Sequence, residues 1–185
     1  MKYLIISGNP KKDGLTHAVT EAIMRGASDG GAETEILNVN GTKACRCCGG
    51  GWGTCPKEHK CEYGGDGFGK AQEAALGADM LCIITPVYWG ETAEGLKSFM
   101  DRLRRCEFGR DGALSGKQVL LAAAPGGSGG GMLVCLEQME RFCHHTGAVI
   151  FDYIGVNRWN SDYKKAAAYS AARAMAEGRK AGETL

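Results

Sequence analysis

Four short stretches of the chain are apolar almost without interruption: Tyr3 to Ser7, Met80 to Thr85, Val119 to Ala124 and Ala148 to Ile154. Runs of this kind suit parallel strands buried on both faces beneath helices. A fifth, Thr34 to Val39, is more polar and predicts an edge strand. Between the runs, apolar residues recur at helical spacing. Leu15, Val19 and Ile23 form one stripe, Leu96, Phe99, Met100 and Leu103 a second, and Met132, Leu136, Met139 and Cys143 a third. The alanine-rich stretch from Lys164 to Ala176 predicts the last helix, because alanine has the highest helix propensity. The alternation predicts an α/β protein with five strands, about five helices and a doubly wound parallel sheet. Right-handed crossovers leave 2-1-3-4-5 as the simplest order for the strands.

Length fits this picture: 185 residues are enough to bury a core within a single domain spanning 1–185. One connection departs from the pattern, the cysteine- and glycine-rich insertion at about 40–66. Connections in such sheets run to about 2–6 residues, so a longer one with its own composition points to function. Charge excludes some partners. With 22 basic and 21 acidic residues, nothing favours nucleic acid or an anionic membrane. The apolar start is too short for a signal-peptide core, and no later run is long enough to span a bilayer. A cytoplasmic location is the expectation.

In an open α/β sheet, ligands bind outside the carboxyl ends of the strands, where strand order reverses. Three loops on that rim have unusual sequences. The first runs from Ser7 through Gly8, Asn9, Pro10, Lys11, Lys12, Asp13, Gly14 and Leu15 to Thr16, straight into a helix. A helix N-terminus offers unpaired amides and the positive end of the dipole, and the lysines and Thr16 add charge and a hydroxyl, which suits a phosphate. Neither a dinucleotide fingerprint nor a Walker A loop is present. The second loop, Thr85-Pro86-Val87-Tyr88-Trp89-Gly90, offers two large aromatics that can pack on a flat ring or serve as a core or subunit contact. The third, Pro125-Gly126-Gly127-Ser128-Gly129-Gly130-Gly131, is nearly bare backbone that a ligand can approach closely.

These loops resemble those of the NADPH-dependent FMN reductase family, including its iron–sulfur flavoprotein branch. The stretch Asn9 to Thr16 resembles the family's phosphate loop, with Asn9 and Lys11 where Ser and Arg are common. Thr85 to Trp89 resembles the flavin-ring loop and Pro125 to Gly131 the glycine-rich third loop. The resemblance implies a flavodoxin-like three-layer sandwich with a five-stranded parallel sheet of order 2-1-3-4-5. It also implies FMN as cofactor, NAD(P)H as co-substrate, and a homodimer or homotetramer. The cofactor-binding set expected from the three loops is Ser7, Asn9, Lys11, Gly14, Leu15, Thr16, Pro86, Val87, Tyr88, Trp89, Gly90, Pro125, Gly126, Gly127, Ser128 and Gly129.

Nine cysteines are present, and Cys45, Cys47, Cys48, Cys55 and Cys61 crowd into the insertion. In a reducing compartment that clustering favours metal or redox chemistry over structural disulfides. Cys82, Cys106, Cys135 and Cys143 are scattered through apolar segments and read as small buried hydrophobes. Thiolates on a pliable, glycine-rich backbone suit a [4Fe-4S] cluster, and Cys45, Cys48, Cys55 and Cys61 are the expected ligands, with Cys47 spare. The gap from Cys48 to Cys55 departs from the tighter spacing of iron–sulfur flavoproteins. A structural zinc, with His59 replacing one cysteine, and unmetallated thiols remain open alternatives. The adjacent His144 and His145 are expected to complement a helix dipole.

The expected activity is transfer of electrons from NAD(P)H through FMN to a small-molecule acceptor or a redox protein. No general acid or base is assigned, because the cofactor carries such chemistry. The rival reading is an iron–sulfur flavoprotein that carries electrons to and from ferredoxin-like partners. A regulatory or metal-binding module on an inactive scaffold is a third.

Overall fold

The computed structural model describes residues 1–108 and 112–182. Elements follow in the order β1 (Lys2–Ser7), α1 (Gly14–Asp29), β2 (Glu33–Asn38), α2 (Cys55–Glu58), α3 (Phe68–Gly77), β3 (Met80–Tyr88), β4 (Glu91–Thr92), α4 (Glu94–Glu107), β5 (Gln118–Ala124), α5 (Met132–Thr146), β6 (Val149–Gly155) and α6 (Ser161–Ala176). The main strands lie parallel in the order β2-β1-β3-β5-β6, which is 2-1-3-4-5 once the two-residue β4 is set aside. Ile5 of β1 sits opposite Ile36 of β2 on one side and Cys82 of β3 on the other. Ile83 of β3 faces Leu121 of β5, which faces Tyr153 of β6.

Strand alternation explains why the sheet has two cores. Tyr3, Ile5, Cys82, Ile84 and Leu120 point to the side covered by α1 and α6. Leu4, Ile6, Leu81, Ile83 and Leu121 point to the side covered by α3, α4 and α5. Successive apolar residues are therefore buried on opposite faces, and the central runs read as unbroken hydrophobics. The chain forms the flavodoxin-like three-layer sandwich.

Two boundaries differ from the sequence reading. The run from Ala148 to Ile154 is not buried on both faces: β6 is the second edge strand, and Val149 and Tyr153 are exposed. Its residues are apolar enough to mimic an interior strand, but only β5 pairs with it among the described strands. The third strand also runs past Thr85 to Tyr88 and folds back on β4 through an antiparallel pair, Val87 with Thr92 and Tyr88 with Glu91. The ring-loop residues thus begin on a strand rather than in a free loop. In the long insertion, short helical turns at Cys48–Gly51, Cys55–Glu58 and Gly64–Asp66 break up the connection.

Candidate functional site

The first loop leaves β1 at Ser7, which is buried, and is closed by the side chain of Asn9. Asn9 Nδ2 donates to the Lys11 carbonyl at 2.7 Å, and the Lys11 amide donates back to Asn9 Oδ1 at 3.2 Å. Asn38, at the end of β2, donates to the Asn9 carbonyl at 2.7 Å and ties the loop to its neighbouring strand. Asparagine at this position therefore shapes the turn. Lys11 is exposed, Gly14 opens α1, Leu15 is half-buried and Thr16 is buried in the first turn of the helix. The first turn of α1 carries no acidic residue. Its amides and dipole are left to favour an anion.

The first loop is packed directly on the end of β3. The Gly8 amide donates to the Ile84 carbonyl at 2.9 Å, and a Cβ on Gly8 would lie 2.8 Å from Leu96 Cβ and 3.3 Å from Thr85 Oγ1. Beyond Thr85, Pro86 and Val87 continue the strand, and Trp89 and Gly90 make the two-residue turn into β4. Both turn residues have positive φ, 53° and 85°, the requirement of a tight type I′ hairpin. Trp89 is fully exposed and Tyr88 partly so. On the other side, Gly131 begins α5 so close to Gly90 that a Cβ on Gly131 would collide with the Gly90 backbone. The second and third loops thus meet glycine to glycine. Val87, Trp89 and Gly90, with Pro125, Gly126, Gly127, Ser128 and Gly129, line one open cleft. A Cβ on Gly126 or Gly127 would meet nothing within 4 Å, so their backbone faces free space.

A fourth loop reaches the same rim, and the sequence reading missed it. Trp159, between β6 and α6, lies over Gly129, with its ring 2.9 Å from where a Cβ would be. Asn157 and Asn160 brace that turn by exchanging amide-to-Oδ1 bonds of 2.7 and 3.0 Å. A tryptophan five residues after a predicted strand was the available signal.

The cysteine insertion lies along α4. Cys45, Cys48, Cys55 and Cys61 line one cavity, with Cys106, Arg102 and Arg105 of α4 forming its far wall. Cys47 is exposed and does not line this cavity. Cys106 is a fully buried core thiol, as its sequence context predicts, and it also lines this wall. Burial, with Cys61 and Cys55 alongside, pushes its thiol up to about 12. The Cys48 thiol is raised by burial and by the neighbouring Glu62 carboxylate, with smaller effects from Cys55 and Cys45. His59 is not among the residues lining the cavity, and its Nδ1 is 2.8 Å from the Cys106 carbonyl. His144 lies 3.5 Å from Glu140 on the last turn of α5.

Arg102 holds the insertion in place. It is 3% exposed. Its guanidinium donates to both oxygens of Asp66, at 2.7 and 3.1 Å, and to the carbonyls of Lys43 and Tyr63. The Arg102 hydrogen bond holds the Asp66 carboxyl below the usual range. Burial opposes the guanidinium's charge, but Asp66 and Cys61 hold its pKa above the ordinary value. Arg105 bonds the Gly51 carbonyl and stacks on Trp52. Among the described residues, no three His, Cys, Asp or Glu side chains stand close enough together to hold a metal ion as they are placed. The donor set nevertheless suits a soft metal in kind, with four cysteines lining one cavity beside Arg102 and Arg105. Gly53 keeps room beside the Cys48 sulfur, where a Cβ would sit 2.5 Å from Sγ.

Comparison with known proteins gives the family and the fold. A profile of the family described as NADPH-dependent FMN reductase matches residues 1–161. An iron-sulfur flavoprotein of Methanosarcina thermophila is 26% identical over 168 residues, covering 86% of this chain and 83% of its own. An iron-sulfur flavoprotein of Methanocaldococcus jannaschii is 28% identical over 142 residues, covering 77% and 71%. Among solved structures, an NADH:FMN oxidoreductase in its apo form superposes with a TM-score of 0.70 at 19% identity, over 97% of this chain and 90% of that one.

Proposed function

Since the chain belongs to the NADPH-dependent FMN reductase family, we propose that its rim binds FMN and passes electrons from NAD(P)H to a small-molecule or protein acceptor. FMN-dependent oxidoreductase activity follows from the family; the site and the partners are our reading. The phosphate would sit at the N-terminus of α1, held by the loop amides, Lys11 and Thr16. The ring would lie in the cleft between the second and third loops, against Val87, Trp89 and Gly126 to Gly129.

The carrying observation is the convergence of these loops. Gly8 packs the first loop on β3, and Gly131 packs the third on Gly90, so the N-terminus of α1, capped by Asp13 and with no acidic residue in its first turn, stands beside an open cleft. When bound, FMN supplies the hydride-accepting and electron-donating chemistry. The residues here bind and orient: the loop amides take the phosphate charge, the bare backbone of Gly126 and Gly127 admits a flat ring, and Trp89 walls the mouth. No side chain is assigned a proton-transfer role.

The cysteine cavity favours a second reading beside the first. We propose that Cys45, Cys48, Cys55 and Cys61 hold a [4Fe-4S] cluster, which would supply one-electron chemistry and suit the protein to exchange with ferredoxin-like partners. This reading rests on the four sulfurs sharing one cavity and on the likeness to iron-sulfur flavoproteins. We propose further that residues 1–185 act as one domain with the insertion as its accessory, as a homodimer or homotetramer in the cytoplasm. Among the described residues no helix is long and apolar enough to cross a membrane.

Anaerobic mixing of FMN-loaded protein with NADPH and, separately, NADH tests the reductase. Rapid loss of the flavin absorbance is the expected result. A flavin that neither nucleotide bleaches, but that reduced ferredoxin does, assigns the protein to the carrier class. Iron and acid-labile sulfide analysis of anaerobic protein tests the cluster. Stoichiometric zinc, or no metal, would remove it.

A further inference from the structure

One guanidinium reaches both the start and the end of the cysteine insertion. Arg102 Nη1 bonds the Lys43 carbonyl at 3.1 Å, just ahead of Cys45. Arg102 Nη2 bonds the Tyr63 carbonyl at 3.0 Å and lies 3.4 Å from Cys61 Sγ. The group also lies flat over Phe68, 4.2 Å from its ring centre. Burying a charge this fully is costly unless it is paired, and Asp66 pairs with it through two bonds. Arginine does not lose its proton in proteins, so the charge beside Cys61 is permanent. A loop that needed only fastening could be held by uncharged donors. Here a fixed positive charge is aimed at a sulfur.

We infer that Arg102 is a positioning residue for Cys61 and raises the reduction potential of the cluster, an inference that rests on the [4Fe-4S] reading of this cavity. Reduction adds one electron and so one negative charge to a cluster. An N–H donor and a positive charge at a ligand sulfur favour that more negative state. Asp66 opposes the effect, since its carboxylate offsets part of the guanidinium's charge. The two residues therefore act with opposite sign, which a merely structural clamp would not require.

The test is an anaerobic redox titration followed by EPR on iron- and sulfide-reconstituted wild type, Arg102→Gln and Asp66→Asn. The FMN midpoint of each sample serves as internal reference. Arg102→Gln should lower the ratio of reduced to oxidised cluster at a fixed poise about tenfold, which is about 59 mV for a one-electron couple. Asp66→Asn should move the cluster midpoint the other way, and neither variant should move the FMN midpoint. Cluster midpoints equal in all three proteins, or shifted in the same direction by both variants, overturn the inference. If Arg102→Gln lacks a cooperative melt, the sign of the Asp66→Asn shift decides alone. Wild-type protein that takes up no iron and sulfide fails at the earlier step: it overturns the cluster reading, and this inference with it.

Discussion

Trp89 occupies a backbone conformation that an aromatic residue rarely takes, with φ at +53° and its side chain wholly in solvent. Left-handed geometry costs a non-glycine residue about 1–2 kcal/mol, and an exposed indole recovers none of that through burial. Strain kept at the mouth of a cleft is the kind of outlier that points to a site. Trp89→Gly is therefore expected to hold or raise stability, by up to about 1 kcal/mol, while weakening FMN binding and shifting the flavin spectrum. Thermal melts of apo protein and FMN titration check both halves. A variant with unchanged flavin affinity and spectrum would deprive Trp89 of its role at the ring. Asn9 teaches a related lesson. In sequence it looks like a departure from the phosphate-loop pattern, whereas in three dimensions its amide closes the turn and its carbonyl takes the Asn38 bond. Sequence identifies such a loop by residue type, but the partner on another strand is a tertiary fact.

The elements that were most legible in sequence are those whose periodicity is enforced on both sides of the sheet. The apolar runs of β1, β3 and β5, the stripes of α1, α4 and α5 and the alanines of α6 all fall where their patterns place them. β6 was misread because an apolar edge strand and an interior strand share one composition. The packing of the insertion on α4 was not legible at all: nothing in the spacing of Arg102, Arg105 and Cys106 says which loop they meet. The same helix-scale argument applies to α1, which carries the proposed phosphate site at one end and packs on α6 along its length. Gly26 lets the two helices approach, and a Cβ there would collide with the Tyr169 carbonyl. Gly26→Ala should cost about 1–3 kcal/mol through overpacking, seen as a lower melting temperature. Because Gly26 is three turns from the loop, FMN affinity in the folded variant should stay close to wild type. A melting temperature equal to the wild type's would show that α1 and α6 can separate without cost.

At the scale of the whole molecule, the cysteine cavity lies along α4, whereas the cleft is lined by the β3–β4 turn and the loop before α5. The insertion starts at the rim, where the Asn40 backbone backs onto Gly95, and its cavity is walled by Arg102, about 10 Å further along the helix at 1.5 Å per residue. The cysteines therefore flank the molecule beside α4, and the cleft remains open on its outer side. Trp89 is followed across the Gly90–Gly131 contact by Leu133 and Val134, all exposed. Contiguous exposed apolar side chains next to a cleft commonly mark a contact with another protein. A second copy of this chain would cover them and enclose the flavin face at the same time. The wild type is thus expected to run as a dimer or tetramer in light scattering after size exclusion. Replacing Leu133 and Val134 together by Glu should shift it toward monomer, since two buried carboxylates without partners oppose association. Neither side chain is in a core, so the fold and its melting temperature should survive the change. A wild-type protein that is monomeric at working concentration, or a double variant with unaltered assembly, would show that this face does not join copies of the chain.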